Sequence, residues 1–344
     1  MQKKVLVTGG TGYIGSHTAV ELINSGFKVV IADNLSNSII EVLEGIEKIT
    51  GERPEFEKID LCNPKELEAF FSEHDDIEAV IHFAAFKSVS ESVEIPLKYY
   101  SNNLNSLMNL LEQMNKHHIS NIVFSSSCTV YGQPDKLPVT ESTPVKRAVS
   151  PYGNTKRICE EIIEDSLQAS CKVKSIILRY FNPIGNHPSA LIGELPHGRP
   201  DNLVPFLTQA AIGKYPEVNI YGDNYNTPDG TCIRDYLDVV DLAKAHVVAI
   251  YRLIEGKNEN NYEIFNLGTG KGVSVMEMVK AFEKAANIKL KYRITGRRPG
   301  DIEQIWADPS LANQKLKWKT KIPLEETLRS AWKWIQYCNK NWIC

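Results

Sequence analysis

Tyr152 and Lys156 stand four residues apart, just after Ser150-Pro151 and shortly beyond the run Ser125-Ser126-Ser127-Cys128-Thr129. On a helix this spacing puts both side chains on one face, about 5–6 Å apart at Cβ. A tyrosine is a poor base at its ordinary pKa of about 10. An ammonium at ~4 Å and an effective dielectric of ~20 attracts the phenolate by about 4 kcal/mol before screening and desolvation. A cationic group bound beside it would add a second positive charge. The pair can then bring a phenol toward the range where it serves as a general base. Ser127 is placed to hydrogen-bond the reacting hydroxyl. Taken alone, Tyr-x-x-x-Lys describes many helix surfaces, so its meaning depends on what precedes it.

What precedes it is a glycine loop. An apolar run at residues 5–8 leads into Gly9-Gly10-Thr11-Gly12-Tyr13-Ile14-Gly15, and a helical stretch continues to Ser25 before Gly26 stops it. Glycines allow a sharp turn and a close backbone approach to a pyrophosphate, and the helix start then offers N–H groups and a positive dipole end. Strand, loop, helix, stop and second strand follow in the order of a dinucleotide-binding unit. Asp33 closes the second strand, where a carboxylate can accept from an adenosine ribose. No Arg or Lys follows through Glu44, which favours NAD over NADP. Asp60-Leu61 and Phe83-Ala84-Ala85-Phe86-Lys87 come at the carboxyl ends of the third and fourth strands, the edge along which such sheets bind ligands.

The elements that must position these groups alternate. Short β-branched runs at residues 5–8, 28–32, 56–59, 79–83, 122–125 and 175–179 are separated by amphipathic stretches, one opening at the cap Asn63-Pro64. This predicts an α/β fold, a Rossmann-type doubly wound parallel sheet with a smaller mixed α/β substrate-binding lobe. Residues 1–181 form the expected NAD-binding domain, with 236–266 returning to it, and 182–344 form mainly the second lobe. After residue 181 the pattern predicts helices at 203–212 and 239–254, a strand at 262–266, and a capping box at Ser274-x-x-Glu277. The helix at 96–117 carries Leu97, Tyr100, Leu104, Leu107, Leu111 and Met114 at alternating spacings of three and four, the seam pattern of packed helices, and predicts a homodimer.

Composition narrows the classes. The chain has 344 residues, 42% hydrophobic and 24% charged, with a net charge of −3. Nothing here favours nucleic acid or an anionic membrane, and no run is long enough to span a bilayer. Cys62, Cys128, Cys159, Cys171, Cys232, Cys338 and Cys344 are scattered and never spaced C-x-x-C, which fits reduced thiols in a cytoplasmic protein without a metal site.

The segments TGGTGYIGSHT, ADNLSNS, VIHFAAFKSVSES, YYSNNLNS, FSSSCTVYG, SPYGNTK, LRYFNPIGNHPS, NNYEIFNLGTG and RRPGD, with the Ser127/Tyr152/Lys156 set, resemble the extended short-chain dehydrogenase/reductase superfamily and, nearly end to end, its UDP-glucose 4-epimerase family. The resemblance implies NAD contacts at Tyr13, Ile14, Asp33, Asn34, Leu35, Ser36, Asn37, Ser38, Asp60, Leu61, Phe83, Ala84, Ala85, Phe86, Lys87, Asn102, Lys156 and Phe181. It implies sugar-hydroxyl chemistry at Ser127 and Tyr152, with Lys87 also near the sugar. UDP-sugar contacts are implied at Asn182, Asn202, Leu203, Tyr221, Arg234, Arg298 and Asp301. The implied reaction inverts C4 of a UDP-hexose through a 4-keto intermediate, with NAD regenerated in each turnover. Dimers of the family commonly pair the 96–117 helix and the Tyr152 helix with their symmetry mates. The position seven residues after Arg298 is Ile305, expected as a gate that leaves room for N-acetylhexosamines. A related dehydratase would need a Thr-Asp-Glu stretch where this chain has Ser127-Cys128-Thr129. A catalytically silent NAD-binding regulator would not need the intact trio.

Overall fold

The computed structural model describes residues 2–169, 173–196, 198–298 and 301–341. The strands are β1 Lys4–Thr8, β2 Lys28–Asp33, β3 Glu55–Lys58, β4 Ile77–His82, β5 Asn121–Ser127, β6 Lys174–Tyr180, β7 Asn182–Ile184, β8 Val218–Tyr221, β9 Ile233–Arg234, β10 Tyr236–Asp238, β11 Tyr262–Leu267, β12 Val273–Ser274, β13 Tyr292–Thr295 and β14 Gln304–Ile305. The helices are α1 Tyr13–Asn24, α2 Val42–Thr50, α3 Pro64–Glu73, α4 Val89–Glu94, α5 Pro96–Lys116, α6 Pro151–Gln168, α7 Leu203–Ala211, α8 Val239–Ile254, α9 Val275–Ala286, α10 Ser310–Lys315 and α11 Leu324–Lys340.

Seven strands form a parallel sheet in the order β11-β6-β5-β4-β1-β2-β3. The runs are apolar at nearly every position because helices cover both faces. One face packs α1, α2 and α8 over Val5, Val7, Ile31, Ile81, Val123 and Leu178. The other packs α3, α5 and α6 over Leu6, Val30, Val80, Ile122, Phe124 and Ile177. Strand order reverses at β1, so a crevice opens between the carboxyl ends of β1 and β4, the usual ligand position in such sheets.

The second lobe is built around α7, α9 and α11 with the β8–β13 pair, on a core that includes Phe206, Leu207, Met278, Phe282 and Leu328. Its α9 opens with the expected capping box, Ser274 with Glu277. Residues 302–318 pack on the Rossmann side, where Ile302, Ile305, Ala307, Leu316 and Trp318 join its core and α10 lies against β11. The deciding bond is Trp318 Nε1 to the Asp241 carbonyl at 2.8 Å.

The apolar stripe of α5 divides. Leu107, Leu111 and Met114 are buried against the protein's own sheet, while Leu97 is 80% exposed and Met108 is 38% exposed. A 3-4 spacing records which residues are apolar, and here one half of the stripe serves the monomer core. No disulfide joins the described cysteines; Cys171 and Cys344 lie outside the described residues.

Gly15 tests the loop packing. A Cβ there would sit 2.3 Å from the Gly9 carbonyl oxygen and 2.8 Å from Gly10 Cα. Both obstacles are backbone, so Gly15→Ala should cost roughly 1–3 kcal/mol by overpacking. Chemical denaturation reads the loss directly. An unchanged midpoint would show that the loop has slack.

Candidate active site

The glycine loop is a cradle with no room for side chains. Gly9 has φ +70°, and a Cβ on it would meet Ala84 N at 2.8 Å. Helix α1 begins at Tyr13 with Gly12 as its N-cap and no side chain satisfying the first turn. Those N–H groups face the crevice end of the sheet, ready for an anion. Asp33 holds the loop from β2: its Oδ2 accepts from Thr11 N at 3.2 Å and its Oδ1 from Leu35 N at 2.9 Å. Ser38 closes the turn through Thr11 Oγ1 at 2.7 Å. Around it, Leu35 takes φ +59°, Asn34 accepts from Ser36 N, and Ser36 and Asn37 are exposed.

The remaining residues expected at a cofactor lie along the same edge. Asp60 Oδ1 accepts from Cys62 N, and the buried Leu61 offers its carbonyl to Asn109. Phe83 N donates to the Thr8 carbonyl at 3.1 Å, and Ala84 N points at Thr8 Oγ1. Ala85 is partly exposed, and Phe86 N donates to Asn103 beside Asn102 on α5. Phe181 is buried with its N–H on the Leu267 carbonyl, Ile14 is half-buried, and the Tyr13 hydroxyl donates to the Gly185 carbonyl at 2.6 Å. The cradle, helix start and β2 carboxylate together fit a dinucleotide.

The trio converges at the end of β5. Ser127 ends the strand and its hydroxyl accepts from Thr129 N at 3.2 Å. Ser150 caps α6 by accepting from Gly153 N at 3.1 Å, which sets the helix start at Pro151, one residue before Tyr152. Lys156 is 4% exposed and donates to the Ser125 carbonyl at 2.7 Å, with its ammonium 4.9 Å from the Phe124 ring centre. Burial pulls its pKa down to about 8. The Tyr152 phenol is pushed well above its ordinary value, first by desolvation and then by Tyr180, while a hydrogen bond with Ser127 works the other way.

The Lys156 ammonium is anchored on the Ser125 carbonyl at the end of β5. Dehydration of the phenol outweighs what the protein's own charges supply.

Two buried groups beneath the trio escaped the sequence reading. His82 is buried, its pKa is lowered to about 3 by desolvation, and its Nδ1 lies 2.8 Å from Thr8 Oγ1. Arg179 grips Glu160 through Nε at 3.0 Å and Nη2 at 2.5 Å, and reaches the Tyr131 hydroxyl at 3.1 Å. Ser126 also donates to Glu160. The only sequence signal was position: Ser126 precedes Ser127, and Glu160 falls one helical turn after Lys156.

Beyond the trio a cavity of ≈ 360 Å³ opens in the second lobe. Asn182, Asn202 and Leu203 line it from β7 and the start of α7; Tyr221 and Arg234 line it from β8 and β9. Arg298 and Asp301 complete the wall; Pro299 and Gly300 of the same motif lie outside the described residues. Arg298 donates to Asp301 at 2.8 Å, and Arg234 stands 3.9 Å from the same carboxylate. Two guanidinium groups beside one carboxylate suit a diphosphate, which planar donors bind in pairs. Arg199, Phe206 and Asn219 also line the cavity and were not foreseen.

Lys87 is ion-paired with Glu194 at 2.8 Å on the rim. Ile305 is 2% exposed in the Rossmann-side core, in register with Arg234 and not among the lining residues. The short strand β14 pairs it directly with Arg234, a residue of the cavity wall.

The family model for GDP-mannose 4,6 dehydratase matches residues 6–331. The UDP-glucose 4-epimerase of Bacillus subtilis is 49% identical over 330 residues, 96% of each chain. The chain belongs to the UDP-glucose 4-epimerase family. A crystal structure of such an epimerase from Stenotrophomonas maltophila, with bound NAD and formylated UDP-arabinopyranose, superposes with a TM-score of 0.95 at 45% identity, covering 99% of this chain and 100% of that one. The Bifidobacterium longum epimerase in complex with NAD+ and UDP gives 0.94 at 45% identity, covering 98% and 99%. Epimerases and dehydratases share one superfamily architecture, and the near-full-length relatives put this member among the epimerases.

The buried ammonium sets a pH dependence. Below pH 8 Lys156 is protonated in both folded and unfolded chains, and the fold bears the whole cost of burying it. Between about 8 and its unfolded value near 10.5 the folded protein has lost the proton and the unfolded chain has not, so stability rises with pH. The stability of wild type minus that of Lys156→Met should be flat up to about pH 8. It should then move in favour of wild type, approaching about 1.4 kcal/mol per pH unit above that. Denaturant titrations from pH 7 to 10 measure it, and a flat difference throughout would refute the burial cost.

Proposed function

We propose that this member of the family interconverts UDP-glucose and UDP-galactose, with NAD held in the glycine cradle and the nucleotide sugar in the arginine-lined cavity. The observation that carries this reading is the position of the trio. Ser127, Tyr152 and Lys156 gather at the carboxyl end of β5, tied by the Lys156 bond to the Ser125 carbonyl and the contact of Tyr152 with Ser127, and the chain passes from Phe181 on the cofactor side to Asn182 on the cavity wall in one step. Other extended short-chain dehydrogenases share the cradle and the trio. The paired arginines favour a nucleotide sugar as ligand, and the near-full-length relatives favour an epimerase.

NAD, when bound, supplies a reversible hydride acceptor and a positive ring. Ser127 holds the C4 hydroxyl, and Tyr152 accepts its proton as the C4 hydride departs. Lys156 fixes the end of β5 beneath them and contributes a positive charge. Arg234 and Arg298 keep the diphosphate anchored while the 4-keto sugar turns about its link to it. Tyr152 then returns the proton on the re-reduced, inverted centre. Nothing is consumed, so UDP-galactose alone suffices as added reactant.

Tyr152→Phe keeps the ring and removes the proton acceptor. It should fold, retain NAD, and lose about 10²-fold or more in kcat, the usual scale of a general base. Purified protein is incubated with UDP-galactose and no added cofactor, and the products are resolved chromatographically. Near-wild-type turnover by the folded variant would strip Tyr152 of its role.

A homodimer belongs to the same proposal. The exposed Leu97 and Met108 lie on α5 beside α6, where Asn154 donates to the Tyr100 hydroxyl at 2.8 Å. These two helices offer an outer face for a symmetry mate. Light scattering at micromolar concentration should give twice the 38.7 kDa chain mass, and Leu97→Glu should shift it toward the monomer. A single-chain mass for wild type counts against the pairing. A cytosolic setting completes the proposal, in line with buried thiols such as Cys128 and Cys159 that form no disulfide.

A further inference from the structure

Glu194 plays no part in the chemistry above, yet it stands where the two halves of the site meet. A single oxygen, Oε1, accepts from Lys87 Nζ at 2.8 Å and from Asn202 Nδ2 at 3.1 Å. Lys87 belongs to the loop after β4 on the cofactor side, and Asn202 lines the nucleotide cavity. One carboxylate therefore ties together a side chain from each.

The carboxylate is itself held from below. The Glu194 N–H donates to Asn186 Oδ1 at 2.8 Å, and its carbonyl accepts from Trp334 Nε1 at 2.9 Å. At the preceding Gly193, a Cβ would lie 2.5 Å from both Asn186 Oδ1 and the Trp334 ring, so the backbone sits flat on α11. The Glu194 side chain is 11% exposed and its Lys87 partner 47%. A half-exposed ion pair is worth little to stability. Its value lies in removing freedom from two long side chains before a ligand arrives. A second carboxylate spans the same gap: Asp201 Oδ2 accepts from Ser88 Oγ at 2.5 Å and from Ser90 Oγ at 2.7 Å.

We propose that Glu194 is a positioning residue that sets Asn202 for the uridine nucleotide and Lys87 for the cofactor side, with Asp201 bracing the same junction. This rests on the epimerase reading for the identity of the ligand.

The test uses the holoenzyme. Calorimetry measures UDP binding, steady-state assays measure KM and kcat for UDP-galactose, and thermal melts report folding. Glu194→Ala removes both acceptances and should weaken UDP binding about tenfold, the scale of a charged hydrogen bond, with KM rising alike and kcat changing less. Glu194→Gln keeps an acceptor oxygen and should recover most of the UDP affinity. Asn202→Ala leaves the backbone anchors of Glu194 intact and should give a loss similar to Glu194→Ala. The double variant should be little worse than either single one, because both act through one link.

Additive losses overturn the proposal. So does a Glu194→Ala protein that binds UDP within about twofold of wild type, or one that melts lower with KM unmoved. If wild type binds UDP but does not epimerise, the functional reading falls, while the Glu194 result still stands on calorimetry.

Discussion

A single buried ammonium organises the centre of this protein. Lys156 cannot remain charged among the apolar residues of β4, β5 and α6 without an acceptor, and the acceptor it takes is the backbone of β5 at Ser125. That bond fixes the height of α6 on the sheet. With α6 fixed, Tyr152 lies one helical turn back over the strand end, and Ser127 lies two residues along from the bonded carbonyl. The Glu160–Arg179 pair then acts as ballast one turn further on, holding Ser126 and Tyr131 in the same layer. Burying a salt bridge gains little net stability compared with apolar packing. Its contribution here is geometric, since a hydrogen-bonded pair admits only one arrangement of the strand end.

The glycine cradle works by the opposite means. Where Lys156 positions by attraction, Gly9 and Gly15 position by leaving space, letting the loop lie on Ala84 and on itself at distances no side chain tolerates. The crevice between β1 and β4 is thus bounded by bare backbone on one side and by the trio on the other. In the second lobe the order is electrostatic: Asp301 sits between Arg298 and Arg234 and keeps two cations together that would otherwise repel. A diphosphate entering there meets donors already oriented.

Much of this was readable in the residues because it depends on local rules. Short β-branched apolar runs matched the seven strands to within two residues, and Ser150, Asn63 and Ser274 stand at helix starts as side-chain caps. Seven expected nucleotide-sugar contacts, from Asn182 to Asp301, line one cavity although they are far apart in sequence. What the residues alone did not show has a different cause. Whether Leu107 faces the protein's own sheet or a neighbour, and whether Ile305 faces a ligand or a core, depends on which elements pack around them. The direction of the Lys156 ammonium is likewise set by a carbonyl thirty-one positions earlier in the chain. His82 and Arg179 carried no signal of their own, because a buried polar residue and a surface one look alike in a sequence.

The sheet's edge strand has a consequence for how the chain is made. β6 pairs with β11, and between them the ribosome must produce β7, the α7 region and the whole of α8. During that interval β6 presents an open row of backbone donors and acceptors, the kind of edge that invites pairing with another nascent chain. At roughly 5–20 residues per second the exposure lasts on the order of seconds. The strands already made hold a complete glycine cradle and trio by then, so the nucleotide pocket precedes the element that seals its own sheet. Synthesis through Leu267 closes that edge of the sheet, and the segment from Ile302 to Trp318 must still follow before one face of its core is complete.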